Sequence, residues 1–182
     1  ELFAYPKIST ALDIGAHVGI WSKRLAKIFT HVICYEPLAK HVECHKKNCE
    51  NFSNVTLEEF ALSDTNGTTL MTTKNNNSGN SAIGKKNYRD KQHVIIETRT
   101  LDDFSFFAID FMKIDVEGHE DKVLYGAEQT IKKHKPLIYI EVWKGSEEKI
   151  ADILNNFGYA MTLFNQRGTD LYYFCEFKKN VN

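Results

Sequence analysis

The chain has 182 residues, 42% of them hydrophobic and 26% charged, with a net charge of −1. That length suits one domain with a full core, and the near-zero charge excludes a global field that would recruit nucleic acid or an anionic membrane. No apolar run is long enough to span a bilayer and no signal peptide is visible. The four cysteines, Cys34, Cys44, Cys49 and Cys175, show no disulfide framework. They read as reduced thiols of a cytoplasmic protein. A chain that enters its first core strand almost at once could be a fragment.

Thr10–Gly15 is a short apolar run ending in glycine and reads as a buried strand. Val18–Phe29 carries Ile20, Trp21, Leu25, Ile28 and Phe29 at helical spacing. His31–Tyr35 is a second buried strand, stopped by Pro37, and Ala39–Asn51 a helix with a weaker stripe. Val55–Leu62 is a third strand, Asp64–Gly67 a turn and Thr68–Thr73 a short strand. Lys74–Asp90 is polar and rich in Asn, Gly and Ser, so a mobile loop is expected, followed by a strand over His93–Leu101. The stretch from about 64 to 100 thus reads as a polar flap inserted in a single domain spanning 1–182.

Alternation then resumes. Phe111–Val116 is a strand, Glu120–Lys133 a helix and Leu137–Val142 a strand. Ser146 caps a further helix with Glu147 and Glu148 in its first turn and Gly158 at its end. Tyr159–Phe164 and Leu171–Phe177 close the chain as a strand pair. Alternating strands and helices imply parallel β-α-β units with right-handed crossovers. The expected class is α/β, Rossmann-like: a mixed, mostly parallel sheet with an antiparallel last strand and helices on both faces.

Asp13, Gly15, Ala16, His17 and Gly19 link the first strand to the first helix. Gly15 permits a tight turn and close ligand approach, and the helix start offers free N–H groups. A dinucleotide site would show G-x-G-x-x-G. Here the spacing is G-x-x-x-G with Asp13 two positions earlier, which would repel a pyrophosphate and suit an ammonium group. That favours S-adenosylmethionine over NAD. Glu36, followed by Pro37, ends the second strand where a carboxylate can accept from ribose hydroxyls. Ala61 and Leu62, ending the third, are placed to hold an adenine.

Asp115 lies at the carboxyl end of the Phe111–Val116 strand, with Glu117, His119 and Glu120 just after it and Glu141 near the same end of the next strand. Asp115, Glu117, His119 and Glu141 are the catalytic candidates, since they gather at the ligand-bearing end of the sheet and buried carboxylates need partners. Glu120 reads as flanking the following helix. Asp115, Glu117 and Glu141 could hold a divalent cation, though nothing requires one. His41, Cys44, His45 and Cys49 share a helix face with conceivable zinc spacing; packing is the preferred reading. Lys85, Lys86, Arg89 and Lys91 form a basic patch that could attract a phosphate-bearing acceptor.

DIGAHVG (Asp13–Gly19), YEP (Tyr35–Pro37), ALSD (Ala61–Asp64), the Asn-Ser-Gly loop of Asn77–Ile83, TLDDF (Thr100–Phe104), KIDVEGHEDKVLYGA (Lys113–Ala127) and P-x-I-x-I-E (Pro136–Glu141) together resemble FkbM-type methyltransferases along nearly the whole chain. The resemblance implies S-adenosylmethionine as cofactor and O-methylation of hydroxyls on sugars and natural products, so a carbohydrate or small-molecule acceptor. His17 stands where that family commonly has asparagine. A protein, lipid or nucleic-acid acceptor, or a silent cofactor-binding module used for interaction, are the competing readings. Nucleic acid is the weaker one, because no D/N-P-P-Y/F block follows the fourth strand. The sequence leaves the oligomeric state open.

Overall fold

The computed structural model describes residues 10–74, 77–83 and 91–178. Strand β1 (Thr10–Ile14) leads to α1 (Ile20–Leu25), β2 (His31–Tyr35), α2 (Ala39–Cys49) and β3 (Val55–Glu58). Then come β4 (Ala61–Leu62), β5 (Gly67–Lys74), β6 (Asn77–Ile83) and β7 (Lys91–Arg99). After a 3₁₀ turn at Leu101–Asp103 follow β8 (Phe111–Ile114), α3 (Glu120–Tyr125), α4 (Glu128–His134) and β9 (Leu137–Trp143). Last are α5 (Glu147–Asn156), β10 (Tyr159–Arg167) and β11 (Asp170–Phe177).

The main sheet has seven strands in the order β10-β11-β9-β8-β1-β2-β3. Neighbouring pairs from β9 through β3 are parallel, and β11 is antiparallel to both β9 and β10. This is the expected mixed sheet with a reversed last strand. Alternation along each strand sends Leu12, Ile14, Met112, Ile114, Ile138 and Ile140 to one face, where they pack against Val123 and Leu124 of α3, Ile131 of α4 and Ile150, Ile153 and Leu154 of α5. Ala11, Val32 and Cys34 pack with Leu25, Ala26 and Phe29 on the other face, the side of α1. Helices therefore cover both faces, as parallel strands require.

Four readings from sequence are corrected. The run Val55–Leu62 is two strands: β3 ends at Glu58, and β4 joins a separate four-stranded sheet, β4-β7-β5-β6. The supposed loop Lys74–Asp90 contains β6, which pairs antiparallel with β5; residues 75–76 and 84–90, including Lys85, Lys86 and Arg89 of the basic patch, lie outside the described residues. Low strand propensity in Asn, Ser and Gly hid β6, and pairing to a neighbour overrode it. The flap over 64–100 is thus largely a sheet, packed on Leu38 through Ala61, Met71 and Ile96. The helix over Glu120–Lys133 breaks at Gly126 and Ala127 into α3 and α4. Ser146 precedes α5 without a side-chain cap bond, and the Glu147 carboxylate instead accepts from the Gly145 N–H.

The α3–α4 break is where the insertion meets the core. Asp102 accepts from the N–H groups of Gln129 (3.0 Å) and Thr130 (2.8 Å), capping α4 from a distant segment. The Gly126 carbonyl accepts from Asp102 N at 2.9 Å. A Cβ on Gly126 would lie 1.9 Å from the Ser63 carbonyl oxygen. Gly126 has φ −75°, a conformation where alanine normally stabilises by about 0.4–1 kcal/mol. Here Gly126→Ala is expected to destabilise by about 1–3 kcal/mol through overpacking, read as a lower urea midpoint at unchanged m-value.

Candidate functional site

Parallel strands deliver their carboxyl ends to one edge, and the connections from β1, β2, β4 and β8 converge there. A cavity of about 320 Å³ opens between them, lined by Gly15, His17, Glu36, Pro37, Ala61 and Leu62 on one side. Asp115, Glu117, His119, Glu141, Asp170 and Tyr172 line the rest, and Met71, Ser81 and Ile83 of the second sheet form a wall. Ten of the residues singled out from sequence therefore share one space.

Two loops make this edge. After β1, Gly15 (φ 75°) and His17 (φ 51°) are left-handed; after β8, Glu117 (φ 57°) and Gly118 (φ 90°) are too. Side-chain-bearing residues enter that region rarely, asparagine and histidine being among the more tolerant. Such backbone costs about 1–3 kcal/mol and gathers at ligand sites. The loops touch: a Cβ on Gly15 would lie 1.9 Å from the Asp115 carbonyl oxygen, and Asp115 N donates to Ile14 O at 3.1 Å.

Glu36 is 5% exposed and holds the first loop. Its Oε2 accepts from His17 N at 3.0 Å and its Oε1 from Leu38 N at 3.0 Å, with His41 Nδ1 3.2 Å from Oε1. A carboxylate offers about four acceptor positions, so capacity toward the cavity remains.

Asp13, Ala16 and Gly19 are placed differently from the sequence expectation. Asp13 is fully buried, is not among the residues that line the cavity, and stands in register beside Lys113 on β8. Lys113 Nζ lies 3.2 Å from Asp13 Oδ1 and 3.5 Å from Asp115 Oδ2, and donates to Gly15 O at 2.7 Å. The Ser22 hydroxyl donates to Asp13 Oδ2 at 2.6 Å, so its oxygen is left to accept from His45 Nε2 at 2.8 Å. The ammonium that Asp13 meets is thus the protein's own. Ala16 is 3% exposed, its N–H given to Tyr35 O. Gly19 permits α1 to approach α2, since its Cβ would lie 2.9 Å from the His45 ring.

Charge is concentrated around Glu141, whose carboxyl is pushed up to about 8 by burial and then by the negative charges of Asp115, Glu117 and Asp170, against a hydrogen bond from Tyr172. Burial lowers His119, whose Nε2 lies 3.0 Å from Ser63 Oγ at the Ala61–Leu62 end of the cavity. Glu120 accepts from Gly118 N at 2.8 Å, the flanking role expected of it. Among the described residues no group of three or more His, Cys, Asp or Glu could hold a metal ion. His41, His45 and Cys49 are buried and Cys44 exposed, with the two histidines bonded to Glu36 and Ser22.

Sequence reasoning missed Lys113, Asp170 and Tyr172. A lysine between two hydrophobic residues of a buried strand was the available signal for the first. The other two depend on β11 pairing with β9, which sets Tyr172 beside Glu141. Burial opposes the Lys113 ammonium, but Asp13 and Asp115 outweigh it and hold the group above its ordinary value. Lys113→Met should therefore strand Asp13 without a cation and cost about 3–5 kcal/mol in chemical denaturation. Combining it with Asp13→Asn should recover part of that loss.

Comparisons with known proteins bear on the family and the fold. The chain is 29% identical to the 2-O-methyltransferase NoeI of Sinorhizobium fredii, over 71% of this chain and 61% of NoeI. A crystal structure of methyltransferase FkbM from Methylobacillus flagellatus superposes with TM-score 0.67 at 20% identity, covering 95% of this chain and 45% of that one. SMU.1697c of Streptococcus mutans, solved in complex with SAH, gives TM-score 0.55 at 14% identity, over 93% of this chain and 89% of the other. The chain thus spans about three fifths of NoeI and under half of the Methylobacillus protein. The family model for the methyltransferase FkbM domain matches residues 13–168, and the chain belongs to that family.

Proposed function

We propose that this chain is an S-adenosylmethionine-dependent O-methyltransferase acting on a hydroxyl of a sugar, glycan or small molecule. One observation carries the reading: Glu36 and the Gly15–His17 loop open onto the same cavity as Asp115, Glu117 and Glu141. The donor set fits the cofactor. A carboxylate at the end of β2 suits a ribose diol, Ala61 and Leu62 suit an adenine, and an acidic lining suits a sulfonium. Asp13, Ala16 and Gly19 shape the loop from behind. When bound, the cofactor supplies an electrophilic methyl group. NoeI, by its name a 2-O-methyltransferase, supports a hydroxyl acceptor.

The protein's own work is positioning and proton transfer. Holding the acceptor oxygen in line can supply on the order of 7–11 kcal/mol. Asp115 and Glu117 orient the acceptor, and Glu141 takes its proton, a carboxylate raised to about 8 being well matched to that role. His119, engaged by Ser63, is the second base that lines the cavity.

Two measurements test this. Glu36→Ala should weaken S-adenosylhomocysteine binding by about tenfold to a hundredfold in calorimetry, since charged hydrogen bonds contribute about 1.5–3 kcal/mol, with Glu36→Gln losing less. Unchanged affinity in both would sink the cofactor assignment.

The second measurement concerns Glu141. Below pH 8 it is mostly protonated and cannot accept a proton, so kcat/KM, which reports the free protein, should rise through about pH 8 in the native protein and lose that limb in Glu141→Gln. The same shift has a ligand-free signature. With the folded pKa above the unfolded value of 4.5, the native state holds the extra proton between them. Stability from this group therefore falls as pH rises from about 4.5 to about 8, and Glu141→Gln should remove that decline in melting temperature.

A further inference from the structure

We propose that His41 is the second ribose-recognising residue of the cofactor site: Glu36 takes one hydroxyl of the diol and the His41 ring takes the other. This rests on the cofactor reading above. It follows from what Glu36 has left to offer. Each carboxylate oxygen accepts about two hydrogen bonds. Oε1 is filled, by Leu38 N at 3.0 Å and by His41 Nδ1 at 3.2 Å. Oε2 takes His17 N at 3.0 Å and keeps one position. A ribose diol brings two hydroxyls, so with these bonds in place Glu36 can receive one of them.

His41 is the polar side chain fixed beside that position. It lines the cavity together with Glu36 and His17 and is 6% exposed. Its ring is held on two sides. Glu36 holds Nδ1, and the His17 ring meets it edge to face, with centroids 4.2 Å apart at an interplanar angle of 74°. An ionised carboxylate accepts and does not donate, so Nδ1 carries the proton toward Glu36, and in the neutral ring Nε2 is then an acceptor. An acceptor is what the second hydroxyl requires.

Helix α2 keeps the ring in place. His41, His45 and Cys49 recur every fourth residue and are buried along one face. That spacing can suggest metal ligation, but each side chain has a partner of its own. His45 Nε2 lies 2.8 Å from Ser22 Oγ on α1, Ser22 donates to Asp13 Oδ2 at 2.6 Å, and Cys49 Sγ lies 3.8 Å from Gly19 O. The buried face of α2 is thereby tied along its length to β1, α1 and the loop between them. The same loop gives the His17 N–H to Glu36. A ring braced in this way is set for recognition before the ligand arrives, which cuts the ordering cost of binding.

Calorimetry with S-adenosylhomocysteine and its 2′-deoxy and 3′-deoxy analogues tests this. In the native protein each analogue should bind about threefold to tenfold more weakly than the parent, the loss of one hydrogen bond. His41→Phe keeps a ring and removes both nitrogens. It should bind the parent about threefold to tenfold more weakly and lose discrimination against one analogue alone, because Glu36 still reads the other hydroxyl. A merely structural role would weaken all three ligands alike, so undiminished discrimination against both analogues in His41→Phe overturns the inference. Native protein that discriminates against neither analogue overturns it too. A measurement on the native protein stands beside the variant in case His41→Phe folds poorly. In nitrogen NMR the His41 Nε2 resonance should move on saturation with the parent and with one analogue, and far less with the other. Equal movement with all three ligands, or none with any, overturns the inference. Failure of the cofactor reading is distinguishable: there none of the three ligands binds the native protein, whereas tight parent binding with His41 Nε2 unmoved defeats the role of His41 alone.

Discussion

The site is organised around one buried ammonium. Lys113 sits in the middle of the sheet, 2% exposed, between Asp13 on the neighbouring strand and Asp115 at the end of its own. A cation removed from water this completely is tolerated only when its partners are fixed. It also donates to the Gly15 carbonyl, so the same group that neutralises two carboxylates pins the glycine turn. The left-handed backbone at Gly15 and His17 is then held from below by Lys113 and from above by Glu36, which accepts the His17 N–H. The ends of β1 and β8 cannot move independently of one another.

This arrangement explains what was legible in the sequence. The strand–helix alternation comes from periodicity, and the sheet follows from connection rules that need no coordinates. The convergence of Gly15, Glu36, Asp115 and Glu141 was legible because parallel strands present corresponding ends to one edge. Asp13 was misplaced for a local reason. From sequence it is an acid just before a glycine turn, and its ladder partner is about a hundred residues away. Only the β1–β8 register reveals that it faces Lys113. Tyr172 and Asp170 escaped notice likewise, because a reversed last strand brings residues to the site that no local motif marks.

The insertion shows the complementary limit. Residues with poor intrinsic strand preference nonetheless pair when a partner strand is available, and β5 supplies one to β6. Its placement is set by few contacts: Met71 and Ile96 against Leu38 and Ala61, the Asp64–Lys122 ion pair at 2.6 Å and the Asp102 cap on α4. ALSD, TLDDF and the glycine of KVLYGA are the segments that make these ties. Each is one side of the joint between the second sheet and the α3–α4 break, and Ala61 and Leu62 of ALSD also line the cavity.

Charge balance links the frame to the proposed reaction. Burial first, and then the crowding of Asp115, Glu117 and Asp170, push the Glu141 carboxyl up to about 8, while Lys113 is already committed to Asp13 and Asp115. A positive group entering the cavity stabilises the ionised carboxyl and lowers that value. In the proposed reaction the bound cofactor would supply a methyl group and its positive charge, and Glu141 would take the proton that the acceptor hydroxyl gives up. A carboxyl whose basicity is low while the cation is present, and recovers as that charge is consumed, becomes a stronger proton acceptor as the transfer proceeds. In the proposed reaction the acidity of the cavity would therefore do more than attract the cofactor: it would couple the state of the base to the progress of the transfer.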